Sequence, residues 1–159
     1  MSGLASGLVG IQTQAAQPAF HAYSSSTQSN VTGNGAQATL VYGTEIFDQN
    51  ADYDGTSTFT APVTGRYYMA FSMRVDVGTS GDAATFQTNI TTTNTNFNRT
   101  IDPLGSDLNG SVRLGWGGLF HMDAADTVVI KVTVDGLAGD TADLENDEAI
   151  AWFCGFLVA

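Results

Sequence analysis

The chain is short of positive charge, of cysteine and of histidine, and each shortage closes off a class of function. Only five Lys or Arg residues stand against sixteen Asp or Glu in 159 residues, a formal net charge of −11. A surface of that sign repels phosphate backbones and anionic bilayers and offers no basic stripe, so nucleic acid is excluded as a natural partner. The acidity itself reads as a solubility surface or as adaptation to a salty medium. Cys154 is the single cysteine, so no disulfide forms within the chain, and its apolar surroundings in sequence suit a buried thiol. No apolar stretch is long enough to cross a bilayer, and the N-terminal residues show neither a basic start nor a long apolar core. Neither a membrane span nor a signal peptide is evident.

Catalytic machinery is equally sparse. There is no G-x-S-x-G turn, and the two histidines, His21 and His121, both fall in expected strands, where a base is poorly placed to serve a nucleophile on a strained turn. Asp48, Asp52 and Asp54 form a carboxylate cluster of the kind a glycosidase uses, but aspartates in an Asn/Gly-rich stretch are explained better as turn formers. The chain reads as a non-enzyme.

What is present is glycine, threonine and alternation. Eighteen Gly with abundant Thr, Asn and Ser, and 43% hydrophobic residues, describe short strands joined by polar turns, an all-β class with enough apolar content for one core. Residues 1–17 place Leu4, Leu8, Ile11 and Ala15 at a weak helical spacing interrupted by Gly3, Gly7 and Gly10, and are expected to form a neck or linker ahead of a head domain over 18–159.

From Arg66 to Val77 the residues alternate, with Tyr67, Met69, Phe71, Met73, Val75 and Val77 on one face, which is the pattern of a half-buried antiparallel strand. Pro62 and Gly65 punctuate the text just before it, so a turn is expected there, joining this strand to the one around Phe59 as a hairpin. Further strands are expected near Pro18–Tyr23, Ala38–Tyr42, Thr44–Phe47, Ala84–Thr93, Phe97–Ile101, Val112–Phe120, Thr127–Val134 and Ile150–Val158, with loops at Ser24–Gln37 and Asp135–Glu148.

The last strand is apolar on both alternating faces: Ile150, Trp152, Cys154, Phe156 and Val158 on one, Phe153 and Leu157 on the other. A sandwich strand normally shows one face to water. Phe153 and Leu157, the smaller set, are therefore expected at a subunit interface together with Trp116 on its Gly-flanked strand; leaving them in solvent would forgo about 1.5–3 kcal/mol each.

The order of these motifs resembles the complement C1q globular-head family, relatives of the tumour necrosis factor jelly roll. The resemblance is carried by Pro18-Ala19-Phe20-His21-Ala22, by Ile46-Phe47-Asp48-Gln49-Asn50-Ala51-Asp52-Tyr53-Asp54, by Phe59-Thr60-Ala61-Pro62-Val63-Thr64-Gly65-Arg66-Tyr67-Tyr68, by Ala125-Asp126-Thr127-Val128 and by Trp152-Phe153-Cys154-Gly155-Phe156-Leu157. It departs from the family at Ala125, where glycine is usual, and across 86–103, and no collagen-like run precedes the head. It implies an antiparallel jelly-roll β-sandwich of about ten strands that assembles as a homotrimer and acts as a binding head.

Two acidic stretches are candidate calcium sites, through Asp48, Asp52 and Asp54 and through Asp140 and Asp143, because a hard cation wants clustered oxygens. No cofactor is required. Partner contact is expected from loops that carry Gly78, Asp82, Asp107, Asn109 and Asp140, since loops on a rigid scaffold carry recognition. The functional expectation is a trimeric head at a virion surface or in an extracellular setting. Its first form is the knob of a phage or virus fibre or other surface appendage, engaging a receptor, a glycan or neighbouring appendage proteins. The alternative form is an extracellular C1q-like or lectin-like module within a longer secreted protein.

Overall fold

A computed structural model describes residues 17–78, 83, 85–101 and 110–159. Among the described residues there are twelve strands and no helix: β1 (Ala19–Tyr23), β2 (Gln28–Thr32), β3 (Gln37–Thr39), β4 (Thr44–Asp48), β5 (Phe59–Thr60), β6 (Gly65–Asp76), β7 (Thr85–Thr92), β8 (Asn96–Ile101), β9 (Ser111–Met122), β10 (Thr127–Asp135), β11 (Ala142–Leu144) and β12 (Trp152–Leu157). The first sheet runs β2-β11-β6-β12-β1-β4, with β9 along the other edge of β6; the second runs β3-β10-β7-β8, with β5 on β10. This is the antiparallel jelly-roll sandwich, with two strands more than expected. The additional β2 and β11 lie in the polar stretch after Tyr23 and in the acidic stretch before Trp152, where they pair with each other at Ala142 and Thr32. β2 is mostly polar and β11 alternates over only three residues, Ala142, Asp143 and Leu144, too short a run to make a strand legible.

The core lies between the sheets and is strongly aromatic. Phe20 stacks on Tyr53 and on Phe59 at centroid distances of 5.0 and 4.8 Å, and meets Phe153 edge-on at 4.8 Å. Tyr67, Met69, Phe71, Met73 and Val75 point into it from β6, as the alternation requires. Leu40 and Tyr42, beyond the end of β3, are also buried and anchor by backbone hydrogen bonds to Ile130 and Thr56.

Two expectations change. The segment around Pro62 does not close a hairpin: Phe59 pairs with Val128 in the second sheet, whereas Gly65–Asp76 belongs to the first. The turn carries the chain from one sheet to the other, held by Ala61 N–H to Asp126 O and Ala125 N–H to Ala61 O at 2.8 Å each and by the Tyr67 hydroxyl donating to Val63 O at 2.7 Å. Alternation locates strands but does not say which neighbour they pair with. Ala125, where the resembling family has glycine, takes φ +73°, the left-handed region in which glycine meets no steric cost.

The second change concerns β12. Phe153 is fully buried in the core, not at an interface, and Trp152, Cys154 and Phe156 face outward. The inward partner of Phe153 is Gly155, where a Cβ would sit 2.2 Å from the Met69 sulfur and 3.0 Å from the Phe20 ring. The face with the larger apolar count is thus the outer one, because close packing of Met69 and Phe20 leaves no space for a side chain at position 155.

Candidate functional site: the outer face of the first sheet

Register builds this surface. Across β12, β6 and β9 the outward residues align as Phe156, Tyr68 and Leu119, then Cys154, Ala70 and Gly117, then Trp152, Ser72 and Gly115. Leu119 is 64% exposed, Phe156 43% and Tyr68 36%. The rings of Tyr68 and Phe156 lie 5.6 Å apart. Farther along, the His21 ring meets Trp152 at 5.9 Å and Phe47 at 6.2 Å, and Phe47 and Ile46 are exposed as well. Large apolar groups contiguous across several strands form a patch of the kind found at interaction sites.

The glycines of β9 shape the middle of the face. A Cβ on Gly117 would stand 2.7 Å from the Tyr68 hydroxyl and 2.8 Å from the Ala70 methyl; one on Gly115 would stand 2.6 Å from the Phe71 carbonyl. Their bareness leaves a groove of about 480 Å³, with Tyr68, Ser72, Arg113 and Trp152 around it. Trp116, expected at the interface, is half-buried. Its indole N–H donates to the Thr88 hydroxyl in the opposite sheet at 2.9 Å, and its ring packs edge-on against Phe71. Leu157 is half-buried against the core. Of the residues that lead the exposed face, alternation puts Tyr68 on a solvent side and Phe156 in the larger apolar set of the last strand, and it does not single out Leu119; the signal is the density of large apolar groups on that side.

Titratable groups sit at the margin. Burial lowers the His21 pKa, opposed in part by the Glu148 charge, and its Nε2 is buried with no hydrogen-bond partner. Burial pushes the Cys154 thiol up, which keeps it protonated and unreactive.

The acidic stretches shape turns. Asp48 accepts the amides of Asp52 and Tyr53 at 3.2 and 2.9 Å. Asp54 accepts those of Thr56, Ser57 and Thr58 at 2.8–3.0 Å. Burial opposes ionisation of Asp54, but those bonds with the Thr56 hydroxyl outweigh it and hold the carboxyl well below the usual range. Asp52 moves the other way, through burial first and the neighbouring Asp48 charge, softened by the Asn50 side chain. Asp143 accepts the Asn30 amide at 2.8 Å, and Asp140 is exposed. Among the described residues no three His, Cys, Asp or Glu come together as a cation site would need; the oxygens expected for calcium at Asp48 and Asp54 serve backbone amides instead.

The candidate contact loops share one end. Val77 and Gly110 are hydrogen-bonded, as are Gly110 and Gly78, and Asp140 precedes β11, which pairs with the same end of β6. Asp82, Asp107 and Asn109 lie outside the described residues. At the opposite end Pro18 O accepts from Leu157, and Arg66 exchanges backbone hydrogen bonds with Ala159 and Val158. Pro18 thus lies at the end away from Gly78 and Gly110; residues 1–16 of the expected neck lie outside the described residues.

No family model matches the sequence, and no curated protein does. Solved structures do. The globular domain of zebrafish complement 1qA is similar over 90% of this chain and 98% of its own, at 20% identity and TM-score 0.60. Murine APRIL is similar over 89% of this chain and 99% of its own, at 10% identity and TM-score 0.62. These likenesses establish the C1q and tumour necrosis factor-like jelly-roll fold.

Proposed function

We propose that this chain is a non-enzymatic binding head that self-associates through the outer face of its first sheet and meets its partner with the loops beyond Gly78, Gly110 and Asp140. The observation that carries the reading is the exposed row Leu119, Tyr68 and Phe156 with the Gly115–Gly117 groove beside it. Burying three large side chains fully is worth about 1.5–3 kcal/mol each, a scale that sustains a specific interface. A homotrimer is the form expected from the resemblance. Sedimentation equilibrium tests it: the expected mass is three times the 16.6 kDa of one chain, and a monomer at micromolar concentration overturns the reading.

A stalked head is supported by Pro18 lying at the opposite end of the sandwich from Gly78 and Gly110. The knob of a phage or virus fibre or other appendage is the first form of such a head; an extracellular C1q-like or lectin-like module is the alternative. Receptor or glycan recognition without turnover is the expected activity in both. Screening the protein on immobilised glycans and cell-surface extracts tests it, and release of a cleaved product would move the chain among the enzymes.

A further inference from the structure

The five cations of this acidic chain are unevenly used. Arg74 pairs with Glu145 at 3.1 Å, the one ion pair among the described residues, and also donates to the Ser111 hydroxyl. Arg113 stands directly across from Arg74 in the β6–β9 ladder, a like-charge juxtaposition that costs free energy. Among the described residues, with Glu145 engaged by Arg74, no carboxylate pairs with Arg113. None pairs with Arg99 either, which stands opposite Thr88 across β7 and β8 and so projects on the side of β8 that faces the first sheet.

These two arginines line one small groove of about 160 Å³ at the open edge between the sheets. Its other walls are Ile101, Leu114 and Trp116, with the Thr88 hydroxyl among its lining. Thr88 is buried and its oxygen is held by the Trp116 indole, so this wall is rigid. Two guanidinium forks, each with planar pairs of donors, match a bidentate oxyanion. Elsewhere the net charge of −11 repels such a group, which makes the site selective by position. We propose that the Arg99–Arg113 groove binds the compact oxyanion head of a ligand, a carboxylate, sulfate or phosphate, with an adjoining apolar part against Ile101 and Trp116. The groove is lined by residues of one chain, but Arg113 also borders the Gly115–Gly117 groove proposed for self-association, so the mass of each variant is measured beside its binding.

The test titrates the full chain with sodium benzoate, acetate and inorganic sulfate at constant ionic strength, following the Trp116 indole N–H by NMR. A saturable shift with millimolar affinity is expected, weakened about tenfold or more in Arg99→Ala and in Arg113→Ala. Arg66→Ala, a cation away from the groove, should leave it unchanged. Benzoate binding more tightly than acetate assigns the apolar walls a part; sulfate binding more tightly than both identifies the tetrahedral head. No saturation by any of the three up to about 50 mM, or equal binding in both groove variants, overturns the proposal. Far-UV circular dichroism and sedimentation of each variant keep loss of fold or of assembly apart from loss of the site.

Discussion

The two outer faces of one sandwich differ in kind. On the second sheet the outward positions are mostly polar: Gln87, Asn89 and Thr91 of β7, Val129, Lys131 and Thr133 of β10 and Asn96, Asn98 and Thr100 of β8, by the alternation about the buried Ile90, Ile130 and Val132, with Asn89 itself only 1% exposed. Their side chains satisfy one another: Asn89 donates to Asn96 at 3.0 Å and Thr91 to Asn96 at 2.9 Å. On the first sheet the outward positions include Phe156, Tyr68, Leu119 and Trp152, beside the polar Arg66, Ser72, Arg74 and Arg113. A polar ladder of that type is at home in water, whereas an aromatic one is stable there only at a cost that a covering partner removes. The pleat is the same on both sides, so the difference lies in the side chains, and it is the difference the proposed self-association would use.

The sharpest way to break the contrast is a matched pair of charges. Phe156→Asp or Leu119→Asp should reduce the sedimenting species to the monomer with the far-UV spectrum retained, because a desolvated carboxylate at an interface centre costs several kcal/mol. Thr133→Asp, outward on the second sheet, should leave the mass unchanged; if it dissociates the assembly equally, the wrong face has been assigned. Within β12 the same contrast appears between neighbouring aromatics. Phe153→Ala should lower unfolding free energy by about 3–5 kcal/mol in denaturant titration, as a core cavity does. Phe156→Ala should stay within about 1 kcal/mol for the monomer.

That pair also shows where the sequence was legible. Strands with one apolar face, β6 and β10, stand where alternation put them, since a period of two has one solution when a single face is buried. In β12 both faces are apolar, and counting apolar residues favours the wrong one. Gly155 contributes nothing to a hydrophobic count yet is required by Met69 and Phe20. β2 and β11 were illegible for a different reason: β11 buries only Ala142 and Leu144 and β2 is mostly polar, so each is too short or too polar for a period of two to stand out, and their pairing is reinforced by Asp143 capping the Asn30 amide. The surface around Tyr68 needed register across three strands, and the sharing of one groove by Arg99 and Arg113 needed two sheets, so neither could be read from a one-dimensional pattern.

Trp116 sets the next scale. Its indole bond to Thr88 ties the exposed first-sheet edge to the second sheet, and Trp116→Phe should remove about 1–2 kcal/mol by leaving the buried Thr88 hydroxyl without that donor. Retained stability would mean that the ring's packing on Phe71 carries the edge without the bond.

The smallest expected effect is a pH slope confined to the first sheet, whose outer face holds His21. Its folded pKa is lowered from 6.5 by burial, partly offset by Glu148, so the unfolded chain takes up a proton more readily than the folded one. As pH falls through 6.5, unfolding is therefore favoured, and the loss grows until the folded-state pKa is reached, below which it levels off. His21→Gln should flatten the stability profile between pH 7 and the onset of carboxylate titration while leaving the second sheet untouched. Self-association should follow the same sign, because a partner covering Trp152 and Phe47 would desolvate the His21 ring further and penalise its charged form more. If the wild-type mass and unfolding midpoint are both flat across that window, His21 remains hydrated in the assembly and the covered area stops short of β1, drawing the interface back to Phe156, Tyr68 and Leu119.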